Sequence, residues 1–173
     1  MCTMAAGGAP MPKLAAAALA LYSAFLIDTS LPNLPSRIST HFNMAGEPDG
    51  WGSPHALWLM LGLQVLLAVL MFSIPFLGRR FPASVHFGTA NLGDFTPEQR
   101  DRVWPLLDRM AGWMGVATSL FFVYVIREVI HAASSSRPRF RVGWVAALFV
   151  GAMAGISIHY VRRINRVVRG SGH

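Results

Sequence analysis

Cysteine is almost absent: Cys2 is the single one in 173 residues. That excludes an internal disulfide framework and any multi-cysteine metal site, and one thiol says nothing of redox compartment. Charge is scarce as well, at 13% of the chain against 53% hydrophobic residues. Soluble domains carry about a quarter charged residues, so too few polar groups are present to coat a water-facing surface of this size. With a mean hydropathy of +0.43, lipid is the expected surroundings. Lysine is reduced to Lys13, and 14 arginines supply the rest of a net charge of +7. In a soluble protein that excess would suggest nucleic acid. Here most of the arginines lie beside apolar runs, which favours membrane topology and no nucleic-acid partner. The chain also lacks an internal repeat and a nucleotide-binding loop.

Four apolar runs are present: Leu14 to Ile27, Leu57 to Leu77, Trp113 to Ile126 and Val142 to Val161. The second and fourth are long enough for a helix rising about 1.5 Å per residue to span a hydrocarbon core of about 30 Å. The first reaches full length with Lys13 and Asp28 at the interfaces, and the third by including Arg127 and Glu128. The expected crossings are about 12–31, 55–77, 112–133 and 142–162. The first run has the length of a signal-peptide core, but one Lys precedes it and no small-x-small cleavage site follows Ile27, so an uncleaved anchor is the reading. Ten basic residues then fall with the N-terminal tail, the second loop and the C-tail, and four fall with the first and third loops, leaving Arg127 inside a helix. The positive-inside bias places both termini in the cytoplasm, with Arg137, Arg139 and Arg141 as a departure.

Helix ends are written into the loops. Ser53 followed by Pro54 reads as an N-cap with proline at the first helical position. Thr96-Pro97-Glu98-Gln99 reads as a capping box, opening an amphipathic helix with Val103, Leu106, Leu107 and Met110 on its apolar face. Pro105 is expected to kink that helix before it runs on into the third crossing, with Trp104 and Trp113 at the boundary.

The first loop carries the densest pattern. Ile38, Thr40 and Phe42 alternate with Ser39, His41 and Asn43, as a short extended segment would, and Glu47-Pro48-Asp49-Gly50 has the residues of a type I turn. His41, Glu47, Asp49 and His55 are the residue types that ligate a divalent cation. None of them has helical ligand spacing, however, and turn chemistry accounts for Asp49, so a structural cap over the helix ends is expected, with no metal and no cofactor. Leu34-Pro35, Ile38, His41-Phe42-Asn43, Gly46, Pro48-Asp49 and Trp51-Gly52 together resemble the signature of a family of small bacterial integral-membrane domains of unknown function. Domains of that family also form the N-terminal half of SdpI-type immunity proteins. The similarity continues through Ala90-Asn91-Leu92 and Thr96 to Arg100, and covers about residues 12–133. It implies protection against a membrane-active peptide toxin and retention of a transcriptional repressor at the membrane. The chain lacks the Gly-x-Arg-Thr-Pro type loop usual in the C-terminal half of SdpI proteins, so immunity is not carried over residue by residue. Under this reading His41, Asn43, Gly46, Glu47, Pro48, Asp49, Trp51 and Gly52 form a loop for a ligand or partner.

Two further groups stand inside the apolar runs. Arg127, Glu128 and His131 occur late in the third crossing, where an arginine near the bilayer centre costs about 2.5–3.5 kcal/mol and so must snorkel or find a partner. An Arg–Glu pair or snorkelling is expected before a relay. In the fourth run Gly143, Ala147, Gly151 and Gly155 repeat at i+4, a ridge expected to pack against a neighbouring helix of the same chain. The whole is expected to be an all-α membrane protein with four transmembrane helices, a structured extracytoplasmic first loop and an amphipathic cytoplasmic helix, and the resemblance implies a bacterial inner membrane. The expected role is non-catalytic, of sensor, immunity or accessory type, with a protein partner in the membrane or a peptide ligand at the first loop. The alternatives are a structural subunit of a larger membrane complex, and a metal-dependent membrane enzyme or transporter.

Overall fold

A computed structural model describes residues 10–43, 45–87, 90–135 and 143–169. Its main elements are four helices: α1 (Pro10–Ser30), α2 (Ala56–Arg80), α3 (Pro97–Ala133) and α4 (Gly143–Arg169). All four are long and apolar enough to cross a membrane, so the expected all-α polytopic fold is the one observed. The helices span 10–30, 56–80, 97–133 and 143–169, against crossings expected at about 12–31, 55–77, 112–133 and 142–162. The third crossing and the amphipathic segment are one helix that continues through Pro105.

Between α1 and α2, β1 (Ile38–Phe42) pairs antiparallel with β2 (Pro48–Gly52). Between α2 and α3, two-residue strands β3 (His86–Phe87) and β4 (Ala90–Asn91) form a second, minimal hairpin. Short 3-10 turns at Leu31–Asn33, Pro82–Ser84 and Leu92–Asp94 join strands to helices.

Helix α3 is the axis of the fold: α1, α2 and α4 each pack on it. The reason is its sequence. Ala111, Gly115 and Ser119 recur at i+4, with Gly112 beside them, and all are buried. A Cβ placed on Gly115 would stand 3.1 Å from Phe72 Cζ, and one on Gly112 would stand 3.0 Å from Pro12 Cβ. Without side chains there, the backbones of α2 and α1 approach closely, which is how helices associate where lipid removes the hydrophobic drive. The partner faces are similarly periodic. Ala16, Ser23 and Ile27 are buried on α1, and Leu57, Gln64, Ala68, Pro75 and Gly78 on α2.

Apolar clusters close both ends. At the β1–β2 end Ile27, Ile38, Leu57, Ile126 and Val129 pack together. At the opposite end Leu92, Phe95, Val103, Leu106 and Leu107 enclose Tyr160 and Ile164 of α4. The capping box expected at Thr96 is present: Thr96 Oγ1 accepts from Gln99 N–H at 3.3 Å, and Gln99 Oε1 accepts from Thr96 N–H at 3.0 Å.

The ridge expected to pack on α4 does not do so. Gly143, Ala147, Gly151 and Gly155 are all exposed, and among the described residues a Cβ at any of the three glycines would meet nothing within 4 Å. Instead α4 turns its bulkier side to α3, with Phe149 stacked on Phe121 at 4.6 Å between ring centres and Trp144 edge-on to Tyr124. An apolar groove of about 220 Å³, lined by Leu120, Phe121, Leu148 and Phe149 among others, lies between the two helices.

Candidate functional site

The β1–β2 hairpin sits on the helix ends as a fixed cap. Ile38 at its root is 1% exposed and joins the cluster formed by Ile27, Leu57, Ile126 and Val129, so one strand is pinned to three helices. The turn is made by Asn43 and Gly46. Asn43 Oδ1 accepts from the N–H groups of Ala45 and Glu47 at 2.9 and 3.0 Å. Asn43 N–H donates to Glu47 O, and Gly46 N–H to Asn43 O, both at 2.9 Å. Gly46 has φ of 77°, the left-handed region that glycine enters without a Cβ penalty.

This corrects the expected turn over Glu47-Pro48-Asp49-Gly50. Pro48, Asp49 and Gly50 belong to β2, and the reversal lies four residues earlier. An asparagine side chain satisfying two backbone donors, followed by a positive-φ glycine, outweighs proline and glycine in type I turn positions. Pro48 is tolerated because it opens the strand. The N-cap at Ser53 is displaced in a smaller way. Its hydroxyl accepts from His55 N–H at 3.3 Å, but the helix proper starts at Ala56 after a turn through Pro54 and His55.

On the outward side of the hairpin His41 and Asp49 meet across the strands, with His41 Nδ1 2.5 Å from Asp49 Oδ1. The register shifts on both sides of His41 let it reach past Gly50, its paired residue, to that carboxylate. Gly50 is required for this approach, since a Cβ there would stand 2.7 Å from His41 Cβ. Asp49 and Trp51, two residues apart on β2, share the outward face. Trp51 is 53% exposed, and its backbone pairs with that of Ser39, which is buried. Gly52 gives room to Thr40, whose Cγ2 would be 3.0 Å from an added Cβ. Among the expected loop residues, then, Asn43, Gly46, Pro48 and Gly52 build the hairpin and His41, Asp49 and Trp51 are displayed by it, while Gly50, which was not among them, is needed for the His41 approach. Glu47 and His55 are exposed and do not join the His41–Asp49 pair. Among the described residues no three His, Cys, Asp or Glu side chains converge.

Arg127, Glu128 and His131 are not gathered into a relay. Neighbours in sequence on a helix project about 100° apart, and among the described residues no ion pair joins Arg127 to Glu128. Arg127 is exposed, within two turns of the end of α3, as snorkelling requires. Arg137, Arg139 and Arg141 lie outside the described residues.

One polar group inside the bundle was missed by the sequence reading. Ser23 of α1 donates its hydroxyl to Gln64 Oε1 of α2 at 2.8 Å, and both residues are fully buried. Among the described residues, Gln64 Nε2 and Ser119 Oγ of α3 are buried without a hydrogen-bond partner. Gln64 and Ser119 each stand two turns from the Leu57–Ile126 cluster on antiparallel helices, which puts them at the same depth. The signal was a lone glutamine in the most apolar run of the chain. At the other end Arg79 pairs with Asp108 at 2.5 Å and lies over the Trp104 ring, with Gly78 making room for that indole.

A family model described as Domain of unknown function (DUF1648) matches residues 15–65, which takes in most of α1, the hairpin and the start of α2. No curated protein and no solved structure matches the chain.

Proposed function

We propose that this is a non-catalytic bacterial membrane protein of sensor, immunity or accessory type, whose β1–β2 hairpin recognises a peptide or the exposed segment of a membrane partner outside the cytoplasm. The observation that carries the reading is the contrast within one hairpin: Ile38 is buried in the helix ends while Trp51 stands 53% exposed beside the His41–Asp49 pair. A large aromatic exposed on a pinned hairpin is the kind of residue that dominates binding energy at protein interfaces. The fixed cap argues against a mere linker, and the charge asymmetry of the loops supports cytoplasmic termini in the inner membrane. The similarity of the loop to SdpI-type proteins favours a membrane-active peptide as ligand.

Purification from native membranes, with mass spectrometry of bound polypeptides and metals, tests the proposal. The wild type is expected to retain a polypeptide that Trp51→Ala releases, with both proteins equally folded. A partner retained equally by both variants would point to a structural subunit held through its helices. About one transition metal per chain, lost in His41→Gln, would point to a metalloenzyme.

A further inference from the structure

The end of the bundle opposite the hairpin is strongly basic. Lys13, Arg79, Arg80, Arg100, Arg102, Arg109, Arg162, Arg163, Arg166 and Arg169 lie there, against Asp94, Glu98, Asp101 and Asp108. Some of these cations are committed elsewhere. Arg79 pairs with Asp108, and Arg100 donates to the carbonyls of Leu92 and Gly93. The arginines of α4 are not: all four are exposed, and none makes an ion pair among the described residues.

Their placement is ordered. At 3.6 residues per turn, Arg162, Arg163, Arg166 and Arg169 fall within roughly 120° of arc. The opposite face of the same turns is occupied by Tyr160, Ile164, Val167 and Val168, packed against Leu92, Phe95, Val103, Leu106 and Leu107. That packing fixes the rotation of α4, so the guanidinium stripe faces permanently away from the bundle. The depth also fits. About 20 residues of α4 fill the hydrocarbon, which brings the helix to the bilayer surface near Arg162, and the stripe then rises about 10 Å through the headgroup layer.

We infer that this stripe binds the headgroups of anionic phospholipids in the leaflet where α4 ends. Arginine suits that partner better than lysine, because its planar fork takes two phosphate oxygens at once and is more weakly hydrated than an ammonium. All four basic residues of the stripe are arginine. The inference does not depend on which side of the membrane that leaflet faces, nor on the role proposed for the hairpin.

The test is native mass spectrometry of the full chain released from nanodiscs of equal phosphatidylcholine and phosphatidylglycerol. The wild type should carry phosphatidylglycerol over phosphatidylcholine by about tenfold, as several arginines at a surface imply. Replacing Arg162, Arg163, Arg166 and Arg169 together by Gln should bring the ratio near one, while Arg80→Gln with Arg102→Gln should leave it within about twofold of wild type. Should the fourfold variant fail to fold, the pairs R162Q/R163Q and R166Q/R169Q are each expected to lower the ratio by at least about twofold. Equal retention of the two lipids by the wild type would overturn the inference, as would an unchanged preference in the folded variants. Displacement of phosphatidylglycerol by glycerol phosphate at equal headgroup concentration would also overturn it, showing a site for a soluble anion.

Discussion

The Ser23 hydroxyl donates to Gln64 Oε1 at 2.8 Å, joining α1 to α2 in the interior of the bundle, while the amide nitrogen of the same glutamine has no partner among the described residues. This half-satisfied contact sets an order of mutational costs. Ser23→Ala orphans the carbonyl oxygen as well, and should destabilise the protein in detergent by about 0.5–1.5 kcal/mol. Gln64→Leu removes the whole amide at similar volume and leaves the Ser23 hydroxyl able to bond its own helix, so it should cost less or even stabilise. Unfolding of the two variants in a mild denaturant series decides. A larger loss in Gln64→Leu than in Ser23→Ala would show that the amide is fully satisfied in the native protein.

Helix packing gives a second ordering. Leucine at Gly115 must displace Phe72 and Met71, whereas leucine at Gly151 points into open space. Gly115→Leu is expected to lower stability by about 1–3 kcal/mol, the usual cost of overpacking, and Gly151→Leu to change it by less than about 0.5 kcal/mol. Thermal unfolding at matched detergent concentration compares them, and equal losses would contradict the packing described.

The hairpin depends on two glycines for different reasons. Gly46→Ala places a Cβ in the left-handed region, at about 1–2 kcal/mol. Gly50→Ala is strain-free in its own backbone but collides with His41. Both should loosen the cap, raising amide exchange of Ser39 to Phe42 while leaving the protection of α3 unchanged. Exchange rates that rise throughout the bundle would mean that the cap is not a separate unit.

Orientation is accessible to labelling. Glu47 is exposed at the hairpin turn, so Glu47→Cys in a Cys2→Ser background should react with an impermeant maleimide in intact cells. Labelling only after lysis would reverse the assignment of both termini to the cytoplasm. Ser39 would be a poor reporter, being 1% exposed.

Much of this architecture is readable from residues alone, and the parts that are not share a cause. Hydropathy marks the four helices, and Thr96 with Gln99 marks the start of α3, because burial in lipid and capping are local demands. The alternation from Ile38 to Phe42 is equally local. Which small-residue ridge packs is a different kind of fact. Gly143, Ala147, Gly151 and Gly155 spell the better-known motif, but the contact is made by Ala111, Gly115 and Ser119, since α3 is the helix on which α1, α2 and α4 all pack. Periodicity identifies a ridge without identifying its neighbour. The turn at Asn43 to Gly46 was masked in a similar way, because Pro48 and Gly50 offered a competing turn pattern within the same stretch. The Ser23–Gln64 contact joins residues 41 positions apart, a distance over which sequence spacing carries no geometric information.

The central claim is that the hairpin exists to be touched by another polypeptide, and position 51 is where that is measured most directly. A photo-crosslinking amino acid in place of Trp51 would be compared with the same residue in place of Leu59, which is 77% exposed on the apolar length of α2. Irradiation in native membranes is predicted to give a discrete polypeptide adduct from position 51 and only lipid adducts from position 59. Lipid or solvent adducts alone from both positions would contradict the account.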